Sequence, residues 1–400
     1  MVLLTMKEKR KLEVIQEMMD GKITRIWASR ALVLKERQVY RLLARVRKEG
    51  VNGVIHGNRG NSHALKWTPK KKEKLMALIS EKYQDVNDTH LRQLLTERNG
   101  IAIGRETLRR FLRKTGQSPK IARRAPRYRS RRERKEAFGM MIQIDASFHD
   151  WLEGRGPWMT LVGGIDDATS FVWARFENTE NSWGYLRLFE SIVLSHGVPL
   201  SIYSDRHTIF HSPKEPTIIE QIQNIRPQTQ FGRAMAEMGI QMIKAYSPQA
   251  KGRAERLWRT FQDRLIVEMR LAGVSSHKEA ECFLPGFLTR FNPQFCVPPK
   301  NRQSVFRKRP PIPQVQRILC TKETRTVNKD HTISFEGHTL QIPPSSRWAS
   351  IANQKVMVLQ LADKTIEVWY KNLRVLTLTQ EQIENLIRYH KNKMELKHVA

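Results

Sequence analysis

Three changes of residue pattern along these 400 residues predict a multidomain fold: an all-α N-terminal part built from a helix-turn-helix pair, a central α/β domain, and a small C-terminal β-barrel. Apolar residues recur at helical spacing to about residue 118, which argues amphipathic helices. From residue 140 short apolar strands alternate with amphipathic helices, and beyond 321 the runs alternate or stay apolar between turns. A chain this long holds about two to four domains.

The first unit is expected over 1–55. Ala28 to Leu34 leads into Glu36 to Lys48, where Val39, Leu42, Leu43 and Val46 make one apolar face. Arg37, Gln38, Arg41 and Arg45 are left outside, as the reading face of a helix in a DNA groove requires. The turn between these helices lacks the glycine often found there. A glycine- and asparagine-rich stretch, 56–63, leads to a second unit over 64–118, whose first helix starts at Thr68 and Pro69 as N-cap and first helical residue. Its next helix, from Thr89, breaks at Asn99 and Gly100. The last, Arg105 to Lys114, turns Leu108, Phe111 and Leu112 inward and offers Arg105, Arg109, Arg110 and Arg113.

A basic linker is expected over 119–138: residues 119–136 hold nine Lys or Arg against two Glu. Arg127 and Arg129 are its expected phosphate contacts, acting through counterion release. The central domain, 139–298, reads as three strands (140–144, 158–164, 171–176), a helix (183–196), a strand (200–204), a polar stretch (207–231), a short helix near 233–238, a strand (241–245) and a long helix from about 249 to 271. A mixed sheet flanked by helices fits this order. Prolines near 310 mark a boundary before the barrel at 321–376, and 377–400 form a charged helical tail.

Seventy Lys and Arg against 39 acidic residues give a formal charge of +31, so the expected partner is a polyanion, DNA. No apolar run is long enough to span a membrane and no signal-peptide core opens the chain, so a cytoplasmic protein without membrane contacts is expected. Three cysteines without C-x-x-C spacing encode neither a disulfide framework nor a cysteine zinc site. His207 and His211, four apart in a loop-like stretch, have no third ligand in view, and zinc is not expected there.

Three acidic residues stand in separate contexts: Asp145 and Asp205 end short apolar runs, and Glu255 lies in a helical pattern. Strand ends and a neighbouring helix can converge such carboxylates on a pair of Mg²⁺ (or Mn²⁺) ions that assist in-line attack on a phosphodiester. Asp166 and Asp167 read as a turn, and Asp150 and Glu153 as residues that face solvent or hold the loop. Lys251, Arg253 and Arg256 flank the glutamate as phosphate contacts. Trp258, three residues beyond Glu255, reads first as a core aromatic, with stacking on a flipped terminal base the other role for it.

At these residues the chain resembles the integrase-type transposases of bacterial insertion sequences. The segments QIDASFHDWLEGRGP (143–157), IDDAT (165–169), SDRHTIF (204–210), FGRAMAEMG (231–239) and YSPQAKGRAER (246–256) resemble more narrowly the group named ISNCY. The likeness covers roughly 10–376. It implies a ribonuclease-H-like core with Asp145, Asp205 and Glu255 as catalytic, metal-holding triad, cleavage of element ends followed by strand transfer into target DNA, and a homo-oligomer on DNA. Two departures stand out. Asp205 and Glu255 are 50 apart, longer than in retroviral integrases, and the position seven after the glutamate, basic in integrase relatives, is Gln262 here. Arg259 is the remaining candidate for that charge. Two other readings stay open: a non-catalytic DNA-binding regulator derived from a transposase, and a free-standing nuclease that hydrolyses without joining.

Overall fold

The computed structural model describes residues 4–57, 59, 67–117, 132–216, 218–222, 227–244, 252–347 and 350–385. The chain divides into two compact units, Met1–Gln84 and Asp85–Ala400. That boundary falls within the 64–118 span expected as one second reader.

In the first unit, α1 (Met6–Met19) opens on a capping box in which Thr5 and Glu8 satisfy each other's backbone N–H. Helices α2 (Arg25–Leu32) and α3 (Glu36–Glu49) follow. The four apolar residues expected on α3 are all buried, packing with Val14, Ile15, Ala28 and Val54. A 3₁₀ turn, Gly50–Val54, folds back on α3 so closely that a Cβ at Gly53 would lie 2.6 Å from the Val46 backbone N, which only glycine avoids. The turn from α2 to α3 carries Val33 at φ +50°, a left-handed conformation usually left to glycine. The unit ends in α4 (Pro69–Lys82), with the expected Thr68 cap and Pro69 in its first turn.

The second unit begins with α5 (Asp88–Asn99), capped by Asn87 and closed at Gly100 with φ +64°, and α6 (Arg105–Lys114). Then come β1 (Ile142–His149), β2 (Met159–Asp166), β3 (Val172–Glu177), α7 (Ser182–His196), β4 (Ser201–Ser204), α8 (Ile218–Ile222), α9 (Gln230–Glu237), β5 (Gln241–Lys244), α10 (Gly252–Leu271) and α11 (His277–Phe295). The five strands form one mixed sheet in the order β3-β2-β1-β4-β5. The pairs β3-β2 and β2-β1 are antiparallel; β1-β4 and β4-β5 are parallel. Alternation along β1 sends Ile142 and Ile144 into a core with α7 and α9. On the opposite face Leu161 and Ile165 of β2 pack with α10 and α11. Because Ala146 and Phe148 prolong the alternation and pair with Val162 and Thr160, β1 runs past the expected end. Asp145 is therefore a mid-strand residue, not the end of one.

Helix α5 is docked on α10 and α11 through polar side chains. Asn87 hydrogen-bonds Asp263, and Gln93 Oε1 accepts from Arg264 (2.8 Å) and Gln294 (2.9 Å).

After α12 (Ile312–Ile318), strands β6 (Thr321–Thr326), β9 (Lys355–Gln360), β10 (Ile366–Tyr370) and β11 (Leu373–Leu378) make an antiparallel sheet in the order β11-β10-β9-β6. β7 (Thr332–Phe335) and β8 (His338–Gln341) form a separate hairpin. Ile333, Phe335 and Leu340 of the hairpin share a core with Val356, Val358, Ile366 and Val368 of the sheet. The expected barrel is thus an open sheet whose apolar face is covered by a hairpin; among the described residues its edge strands do not join, which closure requires. The charged tail beyond Asn385 and the basic linker before Arg132, with Arg127 and Arg129, lie outside the described residues.

Candidate functional site

Two of the three acidic residues lie on or just past one parallel pair of strands. β1 and β4 are parallel neighbours with Ile142 opposite Ile202 and Gln143 opposite Tyr203. Asp145 and Asp205 each lie two residues beyond the last pair of this ladder and share its offset. The 60-residue spacing is the register offset itself. Asp205 follows the end of β4, and its Oδ1 accepts from the His207 backbone N–H at 3.0 Å. Behind both lies Tyr185 of α7, fully buried, its hydroxyl donating to Glu180 at 2.7 Å. Burial, and then the charges of Glu180, Asp145 and Asp205, push its phenol well above the ordinary value.

The third acidic residue, Glu255, is exposed in the first turn of α10, which packs against β1. One turn on, the indole N–H of Trp258 donates to Asp145 Oδ2 at 2.9 Å. Trp258 is the core aromatic expected from the sequence. Its hydrogen bond to Asp145 was not legible there. Among the described residues no three His, Cys, Asp or Glu side chains stand close enough to form a ready metal-binding group. The donor chemistry nonetheless suits Mg²⁺, a hard cation that binds through one or two carboxylates and completes its shell with water and substrate phosphate.

The basic residues around the site differ in what they do. Arg253 is not an exposed phosphate contact: its guanidinium is 11% exposed and pairs with Asp167, because the fully buried Asp167 needs donors. Arg256 and Arg259 are exposed on α10, and Lys251 lies outside the described residues. Asp166 and Asp167 are structural as expected, more completely than a turn requires. Asp166 accepts from the backbone of Gly139 and Thr169, and Asp167 from Gln143, Lys135, Arg132 and Arg253. Asp150 caps Gly154, and Glu153 pairs with Arg155 and Arg270, so both hold the β1–β2 loop.

On the helices expected to read DNA, Arg37, Gln38, Arg41 and Arg45 of α3 are exposed, with Gln38 turned back to the Lys35 backbone N–H. On α6, Arg105 is exposed. Arg109 and Arg110 both hydrogen-bond Glu106, whose carboxyl they hold at about 2, and Arg113 pairs with Asp88 at 2.6 Å. No described helix is long and apolar enough to cross a membrane.

A helix-turn-helix domain family matches residues 10–62. The putative transposase y4bF of Sinorhizobium fredii (strain NBRC 101917 / NGR234) is 33% identical over 376 residues, covering 93% of this chain and 81% of that protein. The transposase for insertion sequence IS1202 of Streptococcus pneumoniae is 32% identical over 372 residues, covering 83% and 77%. Among solved structures, the intasome of simian T-cell lymphotropic virus in complex with the PP2A regulatory subunit B56 gamma matches with 15% identity and a TM-score of 0.32, over 78% of this chain and 97% of that one.

A helix-turn-helix domain at residues 10–62 precedes, along the chain, a mixed five-stranded sheet flanked by helices. The chain belongs to the insertion-sequence transposases.

Proposed function

We propose that the protein is a DNA transposase that binds the terminal inverted repeats of its element and cuts and joins strands at a site made by Asp145, Asp205 and Glu255. The observation that supports this reading is the parallel pairing of β1 and β4, whose 60-residue offset Asp145 and Asp205 share, with the Glu255 helix tied to Asp145 through Trp258. Two Mg²⁺ or Mn²⁺ ions bound by these carboxylates would supply an activated nucleophile and neutralise the leaving oxygen. The protein's part is to hold Asp145 on the central strand of its sheet, Asp205 just past the neighbouring strand, and Glu255 in the first turn of α10. In the first reaction water forms a bond to phosphorus and the P–O3′ bond breaks, leaving a 3′-hydroxyl. In the second that 3′-hydroxyl attacks a target phosphodiester, again expelling a 3′-oxygen that takes up a proton, so no covalent enzyme intermediate is needed.

Sequence reading falls to α3 and α6, phosphate tracking to the basic linker with Arg127 and Arg129, and strand placement to Lys251, Arg256 and Arg259. The C-terminal sheet and hairpin add nonspecific DNA or subunit contacts. Joining two ends calls for a homo-oligomer. Asp145→Asn, Asp205→Asn and Glu255→Gln should each abolish Mg²⁺-dependent nicking and joining of element-end DNA while end binding persists. Near-wild-type cleavage by any one of them removes that residue from the site. Cleavage unaffected by all three would move the site to other residues, and cleavage absent from the wild type would leave the non-catalytic regulator as the better reading.

A further inference from the structure

Asp145 and Gly163 are paired across β1 and β2. A Cβ at Gly163 would stand 2.7 Å from Cη2 of Trp258, so the strand residue opposite Asp145 must lack a side chain for the indole to lie where it does. Trp258 fills that gap, 8% exposed, with Phe261 edge-on to it at 6.2 Å. From this seat its N–H reaches Asp145 Oδ2. Indole N–H is a donor only; it neither takes a proton nor binds a cation. Its bond to a carboxylate is charge-assisted and fixes the plane of the group. The same side chain belongs to α10, one turn from Glu255. A single hydrogen bond therefore joins the two elements that carry Asp145 and Glu255.

We propose that Trp258 is a positioning residue of the carboxylate site: its N–H, seated by Gly163, orients Asp145 and locks the register of α10 against β1, and so sets the affinity for the divalent cation. This rests on the carboxylate site proposed above. Partners of this kind, which hold a ligand without touching the metal, change metal affinity by about 10–100-fold when removed. Packing alone would predict no such change. The indole satisfies the apolar core with any ring orientation that fills the gap, whereas the hydrogen bond requires this one.

The test measures Mn²⁺ binding to the full-length protein without DNA, by calorimetry or by the loss of the free-ion paramagnetic signal, beside thermal melts. Trp258→Phe keeps a ring in the cluster and removes the donor; Gly163→Ala keeps the donor and drives the indole off its seat. Both should bind Mn²⁺ about 10–100-fold more weakly, and cleavage by Trp258→Phe should recover as Mn²⁺ is raised, which Asp145→Asn should not do. Phe261→Leu, a packing control from the same cluster, should lower the melting temperature and leave Mn²⁺ affinity as it was. Wild-type affinity in Trp258→Phe, with binding still lost in Asp145→Asn, overturns the role of Trp258 and spares the site. No Mn²⁺ binding that depends on Asp145 in the wild type overturns the site itself, and this role with it.

Discussion

Arg253 Nη1 stands 2.5 Å from Asp167 Oδ1, joining the first turn of the Glu255 helix to the end of β2. Burial pushes the guanidinium below its usual value while Asp167 pulls it up, the balance found in a desolvated pair. Asp167 has no exposure of its own and is shared with Arg132. Asp167→Ala would leave Arg253 buried without its counter-charge, which costs about 3–5 kcal/mol. Urea denaturation should show that loss, whereas Asp150→Asn, which keeps the acceptor oxygen for the Gly154 N–H, should stay within about 0.5 kcal/mol. A loss below about 1 kcal/mol for Asp167→Ala would mean that the pair does not anchor α10.

The exposed side chains of α3 predict a different signature. Arg41→Ala or Arg45→Ala should leave the melting temperature unchanged, because both side chains face solvent. If they read base edges, affinity for element ends should fall by about 1–3 kcal/mol while affinity for random DNA barely moves. Equal loss on both DNAs, with a shallower salt dependence, would assign them to phosphates instead.

Val33, 90% exposed at φ +50°, sits at the C-terminal end of α2 where a glycine is expected. A left-handed conformation costs a β-branched residue about 1–2 kcal/mol, partly offset in the glycine variant by its more flexible unfolded chain. Val33→Gly should therefore raise stability by about 0.5–1 kcal/mol without altering DNA affinity. A destabilised variant would show that Val33 makes a contact the turn geometry does not reveal.

What the sequence made legible follows from range. The buried face of α3, the Thr68 cap and the break at Gly100 are set by residues within a turn of one another, and periodicity or capping chemistry reads them directly. The sheet strands were legible for the same reason, but their register was not: whether Asp145 ends β1 or lies within it depends on how far β2 continues to pair with it. The partners of Asp167 lie between 24 and 86 residues away, and no local pattern says that Arg253 turns inward while Arg256 stays exposed. Trp258 was readable as core from its helical position, and its hydrogen bond to Asp145, 113 residues distant, was not. The barrel was expected because alternating strands and turns do not encode whether edge strands meet.

Glu268 of α10 shows how the docking of α5 should respond to acid. It is buried, His90 Nε2 stands 3.5 Å from its Oε1, and Arg290 Nη2 donates to its Oε2 at 2.7 Å. Burial pushes the carboxyl up, but the contacts with His90 and Arg290 outweigh it and hold the group below the usual carboxylate range. A carboxyl depressed on folding contributes its stability in full above the unfolded value, about 4.3 for Glu, and loses it as pH falls through the folded value. The contribution should therefore be constant from pH 7 to about 5 and disappear in the acid range below about 4. Glu268→Gln removes the charge that His90 and Arg290 face, and at pH 7 should cost about 1.5–3 kcal/mol, the worth of a hydrogen bond to a charged group. Denaturant titrations at pH 7 and near pH 3 should find the gap between wild type and Glu268→Gln closing with acid. A gap that stays constant would show that Glu268 keeps its charge state, or carries no net stability, across that window.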